Sequence, residues 1–358
     1  MRIAVVFGGS SVEHEISIIT GMQILASINK NKYKVIPVYL TKSNVFTIGK
    51  DFDKIETFKD NNLRFKEVCF TRKGLKTTFR TIPIDAVICA VHGRGLEGGE
   101  LAGYFEILNI PYTSSSVLEA SIFQDKIAAK KLLAYDGIKT TPFVGITDYE
   151  WKTDREYIVT KCNELNYPVI IKPAKLGSSI GIEKVDEARF LQKTISEAFR
   201  FDDAVIVEKF LDNYREFNCA IINNDKLSAI EEVKSQNKIL TFNDKYEDSL
   251  SERVIPAEIS EELKVDIENL TVKIANLFNN KGVIRIDYLY DINNKELLVN
   301  EVNTIPGSFS YYLYEDVGIY FDELIDVLIE GAVKEAYLKG NKINSFTSNV
   351  LNIKGIKK

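Results

Sequence analysis

A five-residue apolar run, Ile3 to Phe7 in "MRIAVVFGGSSVEHEIS", feeds directly into Gly8-Gly9 and then into a helical pattern. A strand without period-two alternation must be buried on both faces. Next, "EHEISIITGMQILASI" sets Ile16, Ile19, Ile24, Leu25 and Ile28 along an amphipathic helix, and "KVIPVYL" and "DAVICAVHG" supply two more apolar strands. Strand, helix, strand in this form predicts an α/β unit with a parallel sheet covered on both sides. The unit is expected to span residues 1–115, ending at "IPYTSSS". The opening run is too short for the core of a signal peptide and turns at glycine, so it reads as a first strand.

The chain has 358 residues, more than one hydrophobic core comfortably serves, so further domains are expected. After residue 115 the pattern changes. "VLEASIFQDKIAAKKLLAYDG" reads as a basic helix closed by Gly137, and "TPFVGIT", "YPVIIKPA", "IGIEKV" and "AVIVEKFL" read as short strands. Together they predict an antiparallel α+β middle domain over 116–212. A third domain over 213–340 carries "EFNCAII", "KLSAIEEV", a long helix through "SEELKVDIENLTVKIANLFNN", and the pair "GVIRIDYLY" and "ELLVNEVN" joined by the hairpin connection "DINNKE". Residues 341–358 are basic and polar and read as a loose tail.

Composition narrows the function classes. A hydrophobic fraction of 45% with 27% charged residues is that of a soluble globular protein. The net charge of −5 argues against a general binder of nucleic acid or anionic membrane, and no apolar run approaches the ~18 residues of a membrane span. A cytoplasmic location is expected. Cys69, Cys89, Cys162 and Cys219 lie far apart without a C-x-x-C, and three of them sit in apolar strand-like settings, where buried reduced thiols are expected rather than a disulfide or metal site.

Chemistry concentrates in four places. In "GVIRIDYLY" and "NEVNT", alternation puts Arg285 with Asp287 on one face of the first strand, and Glu301 with Asn303 on one face of the second. If the hairpin pairs the two strands, carboxylates and an amide oxygen converge, a hard-oxygen set suited to Mg²⁺ and phosphate. The alternative is a solvated polar face, which the apolar surround of Ile286, Leu289, Leu297, Leu298 and Val302 disfavours. In "YPVIIKPAKLGSSIGIEKV", Lys172 ends a strand, and a glycine-flanked loop presents backbone N–H groups with the Ser178 and Ser179 hydroxyls, a phosphate cradle or else an ordinary hairpin turn. Lys126 at a helix start is a weaker phosphate candidate. "VIVEKFLDNYREF" offers Phe210 and Leu211 as apolar faces for a purine and Glu208 and Glu216 as acceptors, or simply a strand entering a linker. At the front, Glu13 at a helix start either favours the helix dipole or holds a ligand ammonium, and His92 ends a strand where α/β crevices lie. No Walker loop, dinucleotide G-x-G-x-x-G, Ser-His-Asp spacing or zinc cluster is present.

In order, "VVFGGSSVEHEIS", "AVHGRGLEGGELAGYFEILNIPY", "YPVIIKPAKLGSSIGI", "VEKFL", "DKY", "GVIRIDYLY" and "NEVNTIPG" resemble the D-alanine–D-alanine ligase family of ATP-grasp enzymes, over residues 1 to about 330. The resemblance implies a three-domain fold clasping ATP between the central and C-terminal domains. It also implies transfer of the γ-phosphate to a carboxylate and attack on that acyl phosphate by a second amino acid's amine. Two Mg²⁺ ions, replaceable by Mn²⁺, would sit on Asp287, Glu301 and Asn303. Arg285 and the Gly307 amide match stabilisers of the acyl phosphate. Glu13 matches the residue holding the first ammonium, linked to Ser178 and Tyr246, with Lys245-Tyr246 on a loop that closes the site. Lys126, Lys172, Ser178, Ser179, Glu208, Lys209, Phe210, Leu211, Glu216 and Lys245 match nucleotide contacts, and His92 a residue near the first substrate. The family's members often form homodimers, and the expected product, D-alanyl-D-alanine, serves peptidoglycan synthesis.

The sequence departs from the family where the second substrate's carboxylate is gripped. The usual "PG.T..SL.P" reads "PGSFSYYLYEDVG", so Tyr312 stands in the serine's place, Leu313 is kept, and Glu315 replaces proline. "GEDG" has become "LEGG" at Leu96 to Gly99, and the loop before "KY" reads "LTFND". Two readings follow: Tyr312 offers its hydroxyl to the same carboxylate, or the acceptor is D-serine, a hydroxy acid, a larger amino acid or another amine. A non-catalytic nucleotide-binding homologue is the reading from another class; the retained Lys172, Ser178, Arg285, Asp287, Glu301 and Asn303 weigh against it.

Overall fold

The computed structural model describes residues 1–59, 63–235 and 251–343, with 345 and 348. Lys245, Tyr246, the "LTFND" stretch and most of the 341–358 tail lie outside the described residues.

The first sheet begins with β1 (Arg2–Gly8), β2 (Lys34–Leu40), β3 (Phe46–Gly49) and β4 (Phe65–Glu67). Three short strands, β5 (Cys69–Thr71), β6 (Gly74–Lys76) and β7 (Thr81–Ile82), form a separate antiparallel sheet, and β8 (Ala86–Ala90) completes the first in the order β4-β3-β2-β1-β8. β1 runs parallel to β2 and β8, whereas β3 and β4 add antiparallel to the edge. The apolar runs therefore predicted the parallel centre. The edge strands and the small sheet lack such runs and left no comparable signal.

Helix α1 (His14–Ser27) crosses from β1 to β2 and sits close to the sheet. Gly8 turns with φ +100°, where a Cβ would lie 2.3 Å from Leu40 O, so only glycine allows the strand to end there. A Cβ on Gly21 of α1 would lie 2.5 Å from Phe7 Cγ, inside the fully buried core. Gly21→Ala is accordingly expected to destabilise by about 1–3 kcal/mol through overpacking, read as a lower urea midpoint at unchanged slope.

After α2 (Glu100–Leu108), the predicted single helix is two: α3 (Val117–Gln124) and α4 (Lys126–Tyr135). Asp125 breaks them with extended backbone and caps α4, its Oδ1 accepting Ile127 N–H at 2.9 Å and Ala128 N–H at 3.1 Å. That break sets Lys126 at the start of α4. The middle sheet contains β9 (Phe143–Thr147), β10 (Val169–Pro173), β11 (Glu183–Val185) and β12 (Ala204–Lys209), ordered β11-β10-β12-β9 and antiparallel throughout, as the short strand runs predicted.

A last antiparallel sheet holds β13 (Tyr214–Ile222), β14 (Lys226–Leu227), β15 (Glu231–Ser235), β16 (Ser251–Val254), β17 (Val283–Asp291) and β18 (Glu296–Asn303), ordered β16-β15-β13-β17-β18 with β14 on β13. The helix Glu261–Asn276 buries Leu263, Ile267 and Ile274 among Ile284, Ile286 and Tyr288 of β17. The closing helix Phe321–Gly340 packs with the first sheet instead: Leu324, Leu328 and Ile329 share one apolar cluster with Val5, Phe7 and Val87. Cys89, Cys162 and Cys219 are buried and free, and Cys69 is exposed and free. No described helix is long and apolar enough to cross a membrane.

Candidate active site

The floor of the site is the β17–β18 hairpin. Arg285 pairs with Asn303 and Asp287 with Glu301, so the four side chains singled out by alternation do share one face. Asp287 accepts both Arg285 Nε (2.7 Å, Oδ1) and Arg285 Nη2 (2.9 Å, Oδ2), and Asn303 Nδ2 donates to Oδ2 at 3.1 Å. The ladder shifts register between Asp287 and Tyr288, leaving Asn300 opposite no residue. This bulge turns Asn300 toward a cavity above the hairpin, where its Oδ1 accepts Lys172 Nζ at 3.4 Å. Strict alternation assigns Asn300 to the far face, which is why the sequence did not single it out.

Above the hairpin lies a cavity of about 110 Å³. Lys126, Lys172, Ser178, Ser179, Glu208, Lys209, Phe210, Leu211 and Glu216 all line it. Lys172 Nζ donates to Glu208 Oε2 at 3.1 Å, Lys130 Nζ lies 3.5 Å from the same oxygen, and Thr141 Oγ1 donates to it at 3.0 Å. Burial alone would raise Glu208, but the two ammonium groups beside it hold the carboxyl well below the usual range. Its other oxygen, Oε1, is buried with no hydrogen-bond partner, a vacancy for a donor such as an exocyclic amine. Lys209 lies next to Glu208 on β12 and points the opposite way, its Nζ donating to Asn166 O at 2.8 Å. Ser178 and Ser179 both have left-handed backbone (φ 53° and 58°), which curls the loop over the cavity.

A larger cleft of about 560 Å³ adjoins this cavity, and Lys126, Ser178, Glu216, Asp287 and Glu301 line both. Lys126 Nζ donates to Leu176 O at 2.7 Å and stands 3.8 Å from Glu301 Oε2. The first domain closes the cleft from the opposite side: Glu13 accepts a hydrogen bond from the Ser178 hydroxyl. A Cβ on Gly177 would lie 2.9 Å from Glu13 Oε1, so the loop needs glycine to come this near. His92 is buried, its Nε2 2.9 Å from Thr20 Oγ1, and burial lowers it to about 4, so the imidazole is neutral at pH 7. Thr20 Oγ1 also accepts Ser308 N–H at 3.3 Å, just beyond Gly307, which lines the cleft.

Glu97, inside the altered "LEGG", accepts Gly93 N–H at 2.9 Å and Ile305 N–H at 3.0 Å. It braces the His92 loop against the Ile305–Gly307 turn. Burial, aided by the Glu13 charge, pushes its carboxyl up to about 8. Tyr311 and Tyr312 line the far end of the cleft, Tyr311 stacked on Phe321 with ring centroids 4.5 Å apart. Leu313 is fully buried in the first domain's cluster, its carbonyl accepting Ala229 N–H at 3.0 Å. Tyr246 and Lys245 lie outside the described residues. Asn218, Glu231 and Arg253 also line the cleft. Polar residues inside the apolar strands "EFNCAII" and "SAIEEV" were the available signal for the first two; Arg253 had none.

Separate sheets that meet at a two-part cavity, lined by a glycine–serine loop and a carboxylate hairpin, are the arrangement of an ATP-grasp fold. The D-ala D-ala ligase N-terminus model matches residues 2–115 and the D-ala D-ala ligase C-terminus model matches 132–330. The chain therefore belongs to the D-alanine–D-alanine ligase family. It is 38% identical over 368 aligned residues to a D-alanine–D-alanine ligase of Thermosipho africanus, with 99% of each chain covered. A D-alanine–D-alanine ligase of Caldicellulosiruptor bescii is 35% identical, covering 94% of this chain and 96% of that one. Among solved structures, the VanG D-Ala:D-Ser ligase from Enterococcus faecalis is 31% identical with a TM-score of 0.80, covering 92% of this chain and 99% of the other. The D-alanine–D-alanine ligase from Bacillus anthracis complexed with ATP is 26% identical with a TM-score of 0.71, covering 95% and 100%.

Proposed function

We propose that this protein joins two D-alanine molecules at the expense of ATP, through an acyl phosphate, to make D-alanyl-D-alanine for peptidoglycan precursors in the cytoplasm. The observation that carries this reading is the seam between the two cavities, where Lys126, Ser178, Asp287 and Glu301 face both. A nucleotide in the smaller cavity and an amino acid in the larger one would meet there. Glu208 would take the adenine's exocyclic amine on its unpartnered oxygen, Phe210 and Leu211 its faces, and Lys126 and Lys172 the phosphates.

Among the described residues no three His, Cys, Asp or Glu side chains cluster as a metal site. Asp287, Glu301 and Asn303 supply two carboxylates and an amide oxygen, an incomplete hard-oxygen set that fits Mg²⁺ completed by phosphate and water. Magnesium bound there, as one or two ions and replaceable by manganese, would neutralise charge on the transferring phosphoryl group. Arg285 would hold the oxyanion that develops at the attacked carbonyl, together with the Gly307 amide. Glu13, steadied by Ser178, would hold the first D-alanine's ammonium. Glu13→Gln is expected to raise the donor KM about tenfold or more while leaving ATP KM near wild type, since it removes one charge-assisted bond. A homodimer is part of the same reading.

The deciding assay is ADP release with ATP, Mg²⁺ and a panel of D-alanine, L-alanine, D-serine and D-lactate, with products identified by mass. D-alanine alone is expected to give D-alanyl-D-alanine. Silence with D-alanine alongside turnover of another pair would overturn the reading.

A further inference from the structure

Tyr312 stands where the resemblance to the ligase family implies a serine, and its hydroxyl is already engaged. It donates to Glu231 Oε2 at 3.1 Å, the oxygen that also accepts Asn218 Nδ2 at 2.8 Å. Burial pushes the phenol up to about 12, so it remains a neutral donor held on Glu231. A hydroxyl spent in this way cannot also grip a substrate carboxylate.

The charge suited to that task lies beside it. Arg253 of β16 has its guanidinium 5.2 Å from the Tyr312 ring centroid and its Nε 3.5 Å from Glu231 Oε1. The Nε approach is an ion pair without a hydrogen bond, and Glu231 Oε1 counts among the buried oxygens that lack one. Arg253 is half exposed and lines the larger cleft, not the smaller cavity that holds Lys172 beside Glu208. The other guanidinium in the cleft, Arg285, has both Nε and Nη2 committed to Asp287. A planar fork with its donors available, braced on its face by Tyr312 and on its flank by buried Glu231, suits bidentate binding of a carboxylate.

Resting on the ligase reading above, we infer that Arg253 is the residue that binds the α-carboxylate of the acceptor amino acid, with Tyr312 and Glu231 as its positioning residues. The selection for a free acid at the acceptor then comes from a guanidinium on β16, brought to the cleft by strand pairing.

The test is a partition experiment with the full chain. Wild type, Arg253→Ala and Arg253→Lys receive ATP, Mg²⁺, D-alanine and D-alaninamide together. D-alaninamide has no carboxylate to phosphorylate, so it enters only as acceptor. The ratio of D-alanyl-D-alanine to D-alanyl-D-alaninamide, read by mass, does not depend on how much enzyme is folded. Wild type is expected to favour the free acid. Arg253→Ala is expected to lose that preference by about tenfold to a hundredfold, the worth of a hydrogen bond to a charged group, and Arg253→Lys to recover part of it. A wild-type ratio in Arg253→Ala would overturn the inference and leave the ligase reading standing. No dipeptide of either kind from the wild type would overturn the ligase reading, and this inference with it.

Discussion

Glu301→Ala is expected to keep the fold and lose ATP turnover by about a hundredfold to ten-thousandfold. Glu301 faces Asp287 across the β17–β18 ladder, and its side chain is about one-quarter exposed (27%), so its removal opens no apolar core. Among the described residues its cationic neighbour is Lys126, which keeps a hydrogen bond to Leu176 O when Glu301 is removed. What is lost is one of only two carboxylates on the proposed magnesium face, and metal stabilisation of a transferring phosphoryl group amounts to several kcal/mol. The measurement is ADP release at saturating ATP and D-alanine over a magnesium titration, beside a thermal melt. Turnover within threefold of wild type, with an unshifted magnesium requirement, would remove Glu301 from the metal face.

Glu208→Ala is expected to cost about 3–5 kcal/mol of stability. The carboxylate is 1% exposed, and two ammonium groups, Lys130 at 1% and Lys172 at 8%, converge on its Oε2. Removing it leaves both charges buried and unpaired. The same geometry sets a pH dependence. Burial acts to raise Glu208, yet Lys130 and Lys172 bring it down from 4.5 to about 2. A depressed carboxyl contributes stability that is complete above the unfolded value near 4.5 and is lost as pH falls toward 2. Urea unfolding between pH 6 and pH 3 should therefore show a steeper loss for wild type than for Glu208→Gln, which has no proton to take up there. Equal slopes would show that the pair is not charged in the folded state.

Much of this site was legible before folding. Arg285, Asp287, Glu301 and Asn303 could be grouped because alternation and a short hairpin are local rules, and both held. Lys126 could be placed at a helix start, although Asp125, not a continuous helix, puts it there. The bulge at Asn300 was not legible, because an extra residue in one strand leaves the apolar pattern nearly unchanged while rotating one side chain. Nor was the role of Glu97, whose partners Gly93 and Ile305 lie 4 and 208 residues away along the chain.

By itself the sequence determined the classes of element and their order: a parallel centre from unbroken apolar strands, antiparallel sheets from short strands between turns, and a carboxylate hairpin from period-two alternation. Those are set by burial and by backbone geometry over a few residues. Only the tertiary structure decided which side chains share a cavity. Tyr312 meets Glu231 from 81 residues away, and Ser178 meets Glu13 from 165. Such contacts depend on how three sheets close on one another, and a chain carries no local pattern for a meeting between surfaces that form only after each has folded.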